Sequence, residues 1–198
     1  MPQYALKEWA SVIAAMLDGE QVVMLRKGGV GEKRFDVPHQ QFFLLPTHLH
    51  QRPELIVPTA REAYAGELDV RTEPGHARLD AWCEVTAVHP VTERAELDAL
   101  RGFHILSADY AESRLKWRPT QPLMAVVVRV HRAAGPPVVD MDEGMGGCVS
   151  WVVLPARITA PALDPVLDDD AFARTAKAIA DALAAARPVD SPTSGALR

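Results

Sequence analysis

Three cations surround one indole ring in the middle of the chain, where Arg114, Lys116 and Arg118 flank Trp117. Guanidinium and ammonium groups bind phosphate, and an indole ring offers a face on which a nucleic-acid base can stack. The mixture is typical of surfaces that hold a single strand of nucleic acid. It is equally typical of a solvated basic loop whose tryptophan packs onto the core, so the pattern alone leaves both interpretations open.

A second candidate anion site follows the first apolar strand, where Arg26 and Lys27 precede Gly28 and Gly29. Two glycines allow positive φ angles, and their exposed amides beside two cations suit a phosphate group. The alternative is an ordinary hairpin turn with solubilising charges, because two glycines between apolar runs also favour a hairpin. The segment lacks the glycine-lysine spacing of a P-loop.

A polar cluster, Thr47, His48, His50 and Gln51, follows the strand that ends at Pro46. The amide of Gln51 can both donate to and accept from the edge of a base. Two histidines at this spacing share a face of an extended chain and can ligate a metal. No third ligand can be identified, so we expect neither a metal site nor a cofactor.

These segments are predicted to converge on one surface that binds single-stranded nucleic acid or a modified base. Its members are Arg26, Lys27, Gly28, Gly29, Thr47, His50, Gln51, Arg114, Lys116, Trp117 and Arg118. Trp82 and Trp151 are further candidates for an indole-lined pocket. If the tryptophans instead lie scattered, a protein partner becomes the better interpretation.

The distribution of charge supports a local rather than a general attraction for anions. The chain has a formal net charge of −5, yet residues 101–132 carry six basic and two acidic groups, a balance of +4. Local field matters more than net charge for an anionic ligand. The two cysteines indicate no disulfide framework, and neither a signal peptide nor a membrane-spanning run is evident. We therefore expect a cytoplasmic protein that does not contact membranes.

Hydrophobic periodicity predicts an α+β fold in a single globular domain over residues 1–187, with a disordered tail over 188–198. Five apolar runs predict a mixed or barrel-like sheet, with strands at 21–26, 41–46, 79–88, 123–131 and 148–154. An amphipathic stripe predicts an N-terminal helix over 5–17, and another predicts a C-terminal helix that opens at Asp168–Asp170. Between them, Thr59, Thr92 and Ser107 are predicted to cap short helices.

Five phrases in this order carry a resemblance to a known family: ALKEWA at 5–10, LRKGG at 25–29, PTxxHQ at 46–51, RLKWRPxxPL at 114–123 and GGCxSW at 146–151. The chain resembles the bacterial domain-of-unknown-function family 1802 from residue 5 to about residue 154. That family has no established activity. Its association with restriction-endonuclease-type domains implies a restriction or defence context.

Two other function classes compete with nucleic-acid binding. An enzyme is the less favoured of them, because no nuclease motif is present. The segment 61–68 is faintly similar to the helix of Nudix hydrolases, but Ala65 and Gly66 stand where that family has metal-binding glutamates. A Nudix-like enzyme that has lost these ligands, or a protein-interaction subunit, therefore remain the alternatives.

Overall fold

The computed structural model describes residues 3–27, 35–48, 50–70, 75–141, 145, 149–155, 158 and 161–187. The strands are β1 Tyr4–Trp9, β2 Val23–Arg26, β3 Gln41–Thr47, β4 His76–Arg78, β5 Ala81–Val91, β6 Leu123–Ala134, β7 Val138–Asp140, β8 Trp151–Val153 and β9 Ala162–Pro165. The helices are α1 Ala10–Leu17, α2 Pro58–Ala63, α3 Ala65–Leu68, α4 Arg94–Ala99, α5 Ala108–Lys116 and α6 Asp169–Ala186. A 3₁₀ turn, Pro53–Leu55, precedes α2.

Most strands form one mixed sheet in the order β2-β6-β5-β3-β1-β8, and β9 also pairs with β6. The β1–β3 pair is parallel, and the other pairs of this sheet are antiparallel. Strands β4 and β7 form a separate two-stranded sheet. The predicted α+β class with a mixed sheet is confirmed, and the sheet does not close into a barrel.

Both faces of the sheet are covered, which explains why its inner strands are apolar at consecutive positions. Along β3, Phe42 and Leu44 join the larger core, together with Ile179 and Leu183 of α6. Their neighbours Phe43 and Leu45 point to the opposite face and join a smaller core. The sheet is thereby fixed between two layers, and the ends of its strands are held in place.

The predicted helix over residues 5–17 is wrong in its first half. Residues Tyr4–Trp9 form β1, which is hydrogen-bonded between β3 and β8, and only Ala10–Leu17 form a helix. Leu6 matches the helical stripe, but it matches equally well one face of a strand. Pairing on both sides outweighed the weak local preference for a helix.

The predicted cap at Ser107 is confirmed, and the C-terminal helix begins, as predicted, at the aspartates of residues 168–170. Ser107 precedes α5, and its hydroxyl accepts a hydrogen bond from the amide of Tyr110 at 3.3 Å. Asp168 precedes α6 and accepts from the amide of Ala171 at 2.7 Å. Each side chain satisfies a helical amide that has no partner within its own helix.

Two other predicted caps are wrong. Thr59 lies inside α2, whose cap is Val57; a proline fills the first helical position and has no amide hydrogen to satisfy. Thr92 lies one residue before the cap of α4, which is Glu93 in a capping box with Glu96.

In the part of the chain that the structure describes, no helix is long and apolar enough to cross a bilayer.

Candidate functional site

The end of β2 meets the last turn of α5, which brings together two of the predicted cationic segments. Lys27 is only 3% exposed, and its Nζ donates a hydrogen bond to the carbonyl of Leu115 at 2.7 Å. In return, Nη2 of Arg114 donates to the carbonyl of Lys27 at 3.2 Å. The last carbonyls of a helix have no partner within it, so a cation there satisfies one of them.

Positive charge is in excess at this junction. Arg26 pairs with Glu8, and its Nη1 lies 3.1 Å from Oε2 of that carboxylate. Among the described residues, Glu8 is the carboxylate that contacts these cations. Burial, and secondarily the charge of Arg114, lower the pKa of Lys27. Burial and the charge of Arg26 likewise lower the pKa of Arg114, against the opposite effects of Tyr110 and Glu8. Arg26 and Arg114 share the carboxylate of Glu8, and Lys27 interacts with Arg114, so among the described residues these four groups carry a formal surplus of two positive charges.

Trp117 lies beside this junction, and two guanidinium groups pack against its indole ring. The Cζ atoms of Arg114 and Arg118 are each 4.7 Å from the centre of the indole ring, within the range of a cation–π contact. Arg118 has a φ of 52°, a left-handed conformation. Lys116 points away: its side chain is 75% exposed and pairs with Glu112 at 2.6 Å. We call Arg26, Lys27, Arg114, Trp117 and Arg118 the cationic cluster.

Gln51 does not present its amide to a ligand. The side chain is 8% exposed, and its Oε1 accepts hydrogen bonds from the backbone amide and the hydroxyl of Ser11, at 3.4 and 3.1 Å. Its Nε2 donates to the carbonyl of Glu67. Gln51 therefore ties the start of α1 to α3, and its predicted contact with a base edge does not fit this arrangement.

The remaining predicted site residues lie at the end of β3, after it, or outside the described part of the chain. Thr47 ends β3 opposite Trp9. His50 is exposed with a φ of 66°. Gly28 and Gly29 fall outside the described residues. The assignment of these four residues to a binding site stays a prediction.

The tryptophans do not share one pocket. Trp82 packs against the smaller core and meets the ring of His131 edge-on, with centroids 5.2 Å apart. Trp151 packs against the larger core, 4.9 Å from Phe42, and its Nε1 donates to the carbonyl of Asp36 at 3.2 Å. The two indoles lie on opposite faces of the sheet. The expectation of an indole-lined pocket is wrong, because each ring is used to cover a different core.

A cavity of about 310 Å³ opens between α1, the end of β3, α3 and β4. Its lining combines apolar and ionisable side chains: Ala10, Ile13, Ala14, Leu17, Pro46, His48, Glu67, His76, Ala77, Arg78, Asp80 and Met141. Of these residues, only His48 belongs to a segment whose sequence pattern indicates a candidate ligand. The other ionisable groups come from segments far apart in the chain, and no local motif joins them.

Among the described residues, no three side chains of His, Cys, Asp or Glu are grouped as metal ligands. The segment 61–68 is not one helix either, since it breaks at Tyr64 between α2 and α3. This break removes the continuous helix on which the similarity to Nudix hydrolases rested.

Comparison with known proteins places the chain in a family. Two solved structures resemble it, the ASCH protein from Zymomonas mobilis and a serine-to-alanine mutant of that protein. They cover 78% and 79% of this chain and 88% and 92% of their own, at 11% identity and TM-scores of 0.46 and 0.44. No curated protein matches. The model of the family described as "Domain of unknown function (DUF1802)" matches residues 5–178, and the chain belongs to that family.

Proposed function

We propose that this protein is a nucleic-acid-associated binding module whose phosphate-binding surface is the cationic cluster. The observation that carries the proposal is the surplus of charge at the junction of β2 and α5. In the described part of the chain, Arg26 and Arg114 share one carboxylate, Glu8, and Lys27 adds a third positive charge next to Arg114. The family resemblance adds a restriction or defence setting to the proposal.

A bound phosphate would relieve the repulsion within this cluster. Like charges held close together at a partly buried site raise the local potential and attract a counter-ion. Hydrogen-bond donors are also left over. Among the described residues, Nε of Arg26 is buried and makes no hydrogen bond. An ammonium group has three donors and a guanidinium group has five, so Lys27 and Arg114 keep donors beyond the bonds to Leu115 and to the backbone.

Stacking would come from guanidinium planes as well as from the indole. The ring of Trp117 already contacts Arg114 and Arg118, and it orders both side chains. Bases of single-stranded nucleic acid stack on arginine planes as well as on aromatic rings. The indole of Trp117 and the guanidinium planes beside it would together form the stacking surface, of which the ring is the uncharged part.

The test is a salt titration of binding to single-stranded, duplex and base-modified oligonucleotides, followed by fluorescence anisotropy. We expect binding to single strands that weakens steeply with salt, because neutralised phosphates release counter-ions. Arg174→Ala on α6 is a control, since it removes an exposed positive charge that lies outside the cluster. Absence of binding to every oligonucleotide at low salt would overturn the proposal.

A protein-interaction subunit is the second candidate, and the scatter of the tryptophans favours it. Trp82 and Trp151 cover opposite faces of the sheet rather than one recognition site. The edge strand β8 also exposes an apolar side chain, with Val153 63% exposed. An unpaired strand edge can pair with another chain. If no oligonucleotide binds, this interpretation takes precedence.

A further inference from the structure

We propose that the cavity between α1, α3 and β4 binds a small organic cation with an apolar body, such as an amine or an amidinium, and that Glu67 holds its charge. We call this cavity the Glu67 pocket. It does not include any residue of the cationic cluster, so the inference is independent of the proposed function. It is carried by the shape of the cavity and by the balance of charges on its wall.

The volume and the floor of the pocket suit a compact apolar body. At about 30 Å³ for each water, 310 Å³ has room for roughly ten waters, at the lower end of the range of ligand cavities. One wall is a face of α1 that presents Ala10, Ile13, Ala14 and Leu17. Pro46 closes the end of that wall. Water against such a surface is readily displaced by an apolar group.

The charges on the wall favour a cation. Two carboxylates, Glu67 and Asp80, face one guanidinium, so one negative charge is left over when the histidines are neutral. The guanidinium belongs to Arg78, whose Nη2 pairs with Oδ1 of Asp80 at 2.6 Å and whose Nε donates to Oδ2 at 3.3 Å. Because this pair is satisfied within β4 and the residues after it, Glu67 carries the remaining charge.

Glu67 has no partner of comparable strength in the described part of the chain. Its Oε2 lies 3.6 Å from Nε2 of His48, which is beyond the length of a hydrogen bond. The side chain of Glu67 is 46% exposed, so a ligand can reach it. A cationic N–H donor bound there would form charge-assisted hydrogen bonds, which are shorter and stronger than neutral ones.

The backbone beneath Glu67 is held in place before any ligand arrives. The carbonyl of Glu67 accepts the hydrogen bond from Nε2 of the buried Gln51, and Oε1 of Gln51 is bound to Ser11 at the start of α1. The apolar wall and the acidic wall are thereby joined through one side chain. Gln51 is a positioning residue for this pocket, and little ordering is left to be done on binding.

Three probes of nearly equal size test the proposal: benzamidine, benzamide and benzoate carry one positive charge, none and one negative charge. We expect benzamidine to bind best and benzoate not to bind, with the chemical shifts of Ile13 and Met141 moving on titration. Glu67→Gln keeps the shape and removes the charge, and it should weaken benzamidine by about tenfold while leaving benzamide unchanged. Glu62→Gln on α2 is the matched control, because Glu62 is exposed and does not line the pocket.

A second variant tests the cavity without touching its charge. Ala14→Leu adds bulk on the apolar wall and should abolish binding of benzamidine, with a thermal melt to show that the variant folds. Equal binding of benzoate, or an unchanged affinity for benzamidine in Glu67→Gln or Ala14→Leu, would overturn the proposal. Oligonucleotide binding depends on other residues, so either site can fail alone.

Discussion

Lys27 and Leu115 lie 88 positions apart in the sequence, yet the ammonium group of one donates to the carbonyl of the other at 2.7 Å. The contact fastens the end of β2 to the last turn of α5, and it orders the junction on which the cationic cluster is built. A residue chosen from the sequence as a phosphate ligand therefore also has a structural role. The two roles can be separated by measurements of stability and of binding.

Lys27→Met should lower the free energy of unfolding by about 1–2 kcal/mol. The substitution keeps an unbranched apolar stem but leaves the partly buried carbonyl of Leu115 without its donor. Lys116→Met is the control, since that side chain is 75% exposed, and we expect a change within about 0.5 kcal/mol. Urea unfolding of both variants is the measurement. Equal effects would mean that the contact with Leu115 contributes nothing to stability.

Gln51→Ala should cost about 2–3 kcal/mol of stability. It removes the acceptor for two groups of Ser11 and the donor to Glu67, and these groups stay buried or partly buried. Gln41→Ala is a matched control, because the amide of Gln41 bonds to Glu84 at the exposed surface. Thermal unfolding distinguishes the two. A Gln51→Ala protein as stable as the control would show that α1 and α3 do not depend on this link.

Acid should destabilise the protein through His104. The pKa of this histidine is lowered from the usual 6.5 to about 4, and burial is the largest cause of the shift. Between these two pKa values the unfolded chain binds a proton that the folded chain does not. The contribution of neutral His104 to the free energy of unfolding is therefore fully present above pH 6.5 and is lost as the pH falls towards 4. The loss is on the order of 2 kcal/mol.

The measurement is urea unfolding at several pH values between 4.5 and 7. His104→Gln should flatten the dependence, because it removes the buried imidazole. His39, His89 and His131 also have pKa values lowered chiefly by burial, and they account for the slope that remains. A dependence as steep in His104→Gln as in the native protein would contradict the assignment.

Arg118→Ala should reduce the salt slope of oligonucleotide binding, whereas Trp117→Ala should lower affinity by about 1–3 kcal/mol and change the slope little. Without the Arg118 cation, one fewer phosphate is neutralised and binding releases one fewer counter-ion. Loss of the Trp117 ring removes a stacking surface that has no charge. Anisotropy titrations across a range of salt separate the two effects. Identical slopes for Arg118→Ala and the native protein would remove Arg118 from the phosphate surface.

The sequence predicted the parts of the fold that depend on local pattern. The five apolar runs all contain strands, Ser107 caps the helix that follows it, and the C-terminal helix begins at the run of aspartates. Strand β1 was missed because its identity depends on two partners that lie far along the chain. Strands β4, β7 and β9 have three or four residues each, too few for a periodicity to show.

The candidate site was predicted less completely, for a different reason. The sequence predicted that Arg26 and Lys27 lie near Arg114, because all three are cations that can bind the same anionic ligand. The residue type alone does not show that the amide of Gln51 is hydrogen-bonded within the protein, to Ser11 and to the carbonyl of Glu67. Nor could it tell that Glu67 faces a cavity, since the opposite wall comes from other elements.

The position of β1 between β3 and β8 bears on how the chain assembles during synthesis. Tyr4 pairs with Val153, so one side of β1 has no partner until about 150 further residues have left the ribosome. Until then, the nascent sheet presents an open, apolar strand edge that is able to pair with other chains. Pairing across such a sequence separation is slow, because the loop must close before the contact is gained. We therefore expect the last step of folding to follow translation and to be the step most sensitive to crowding by neighbouring nascent chains.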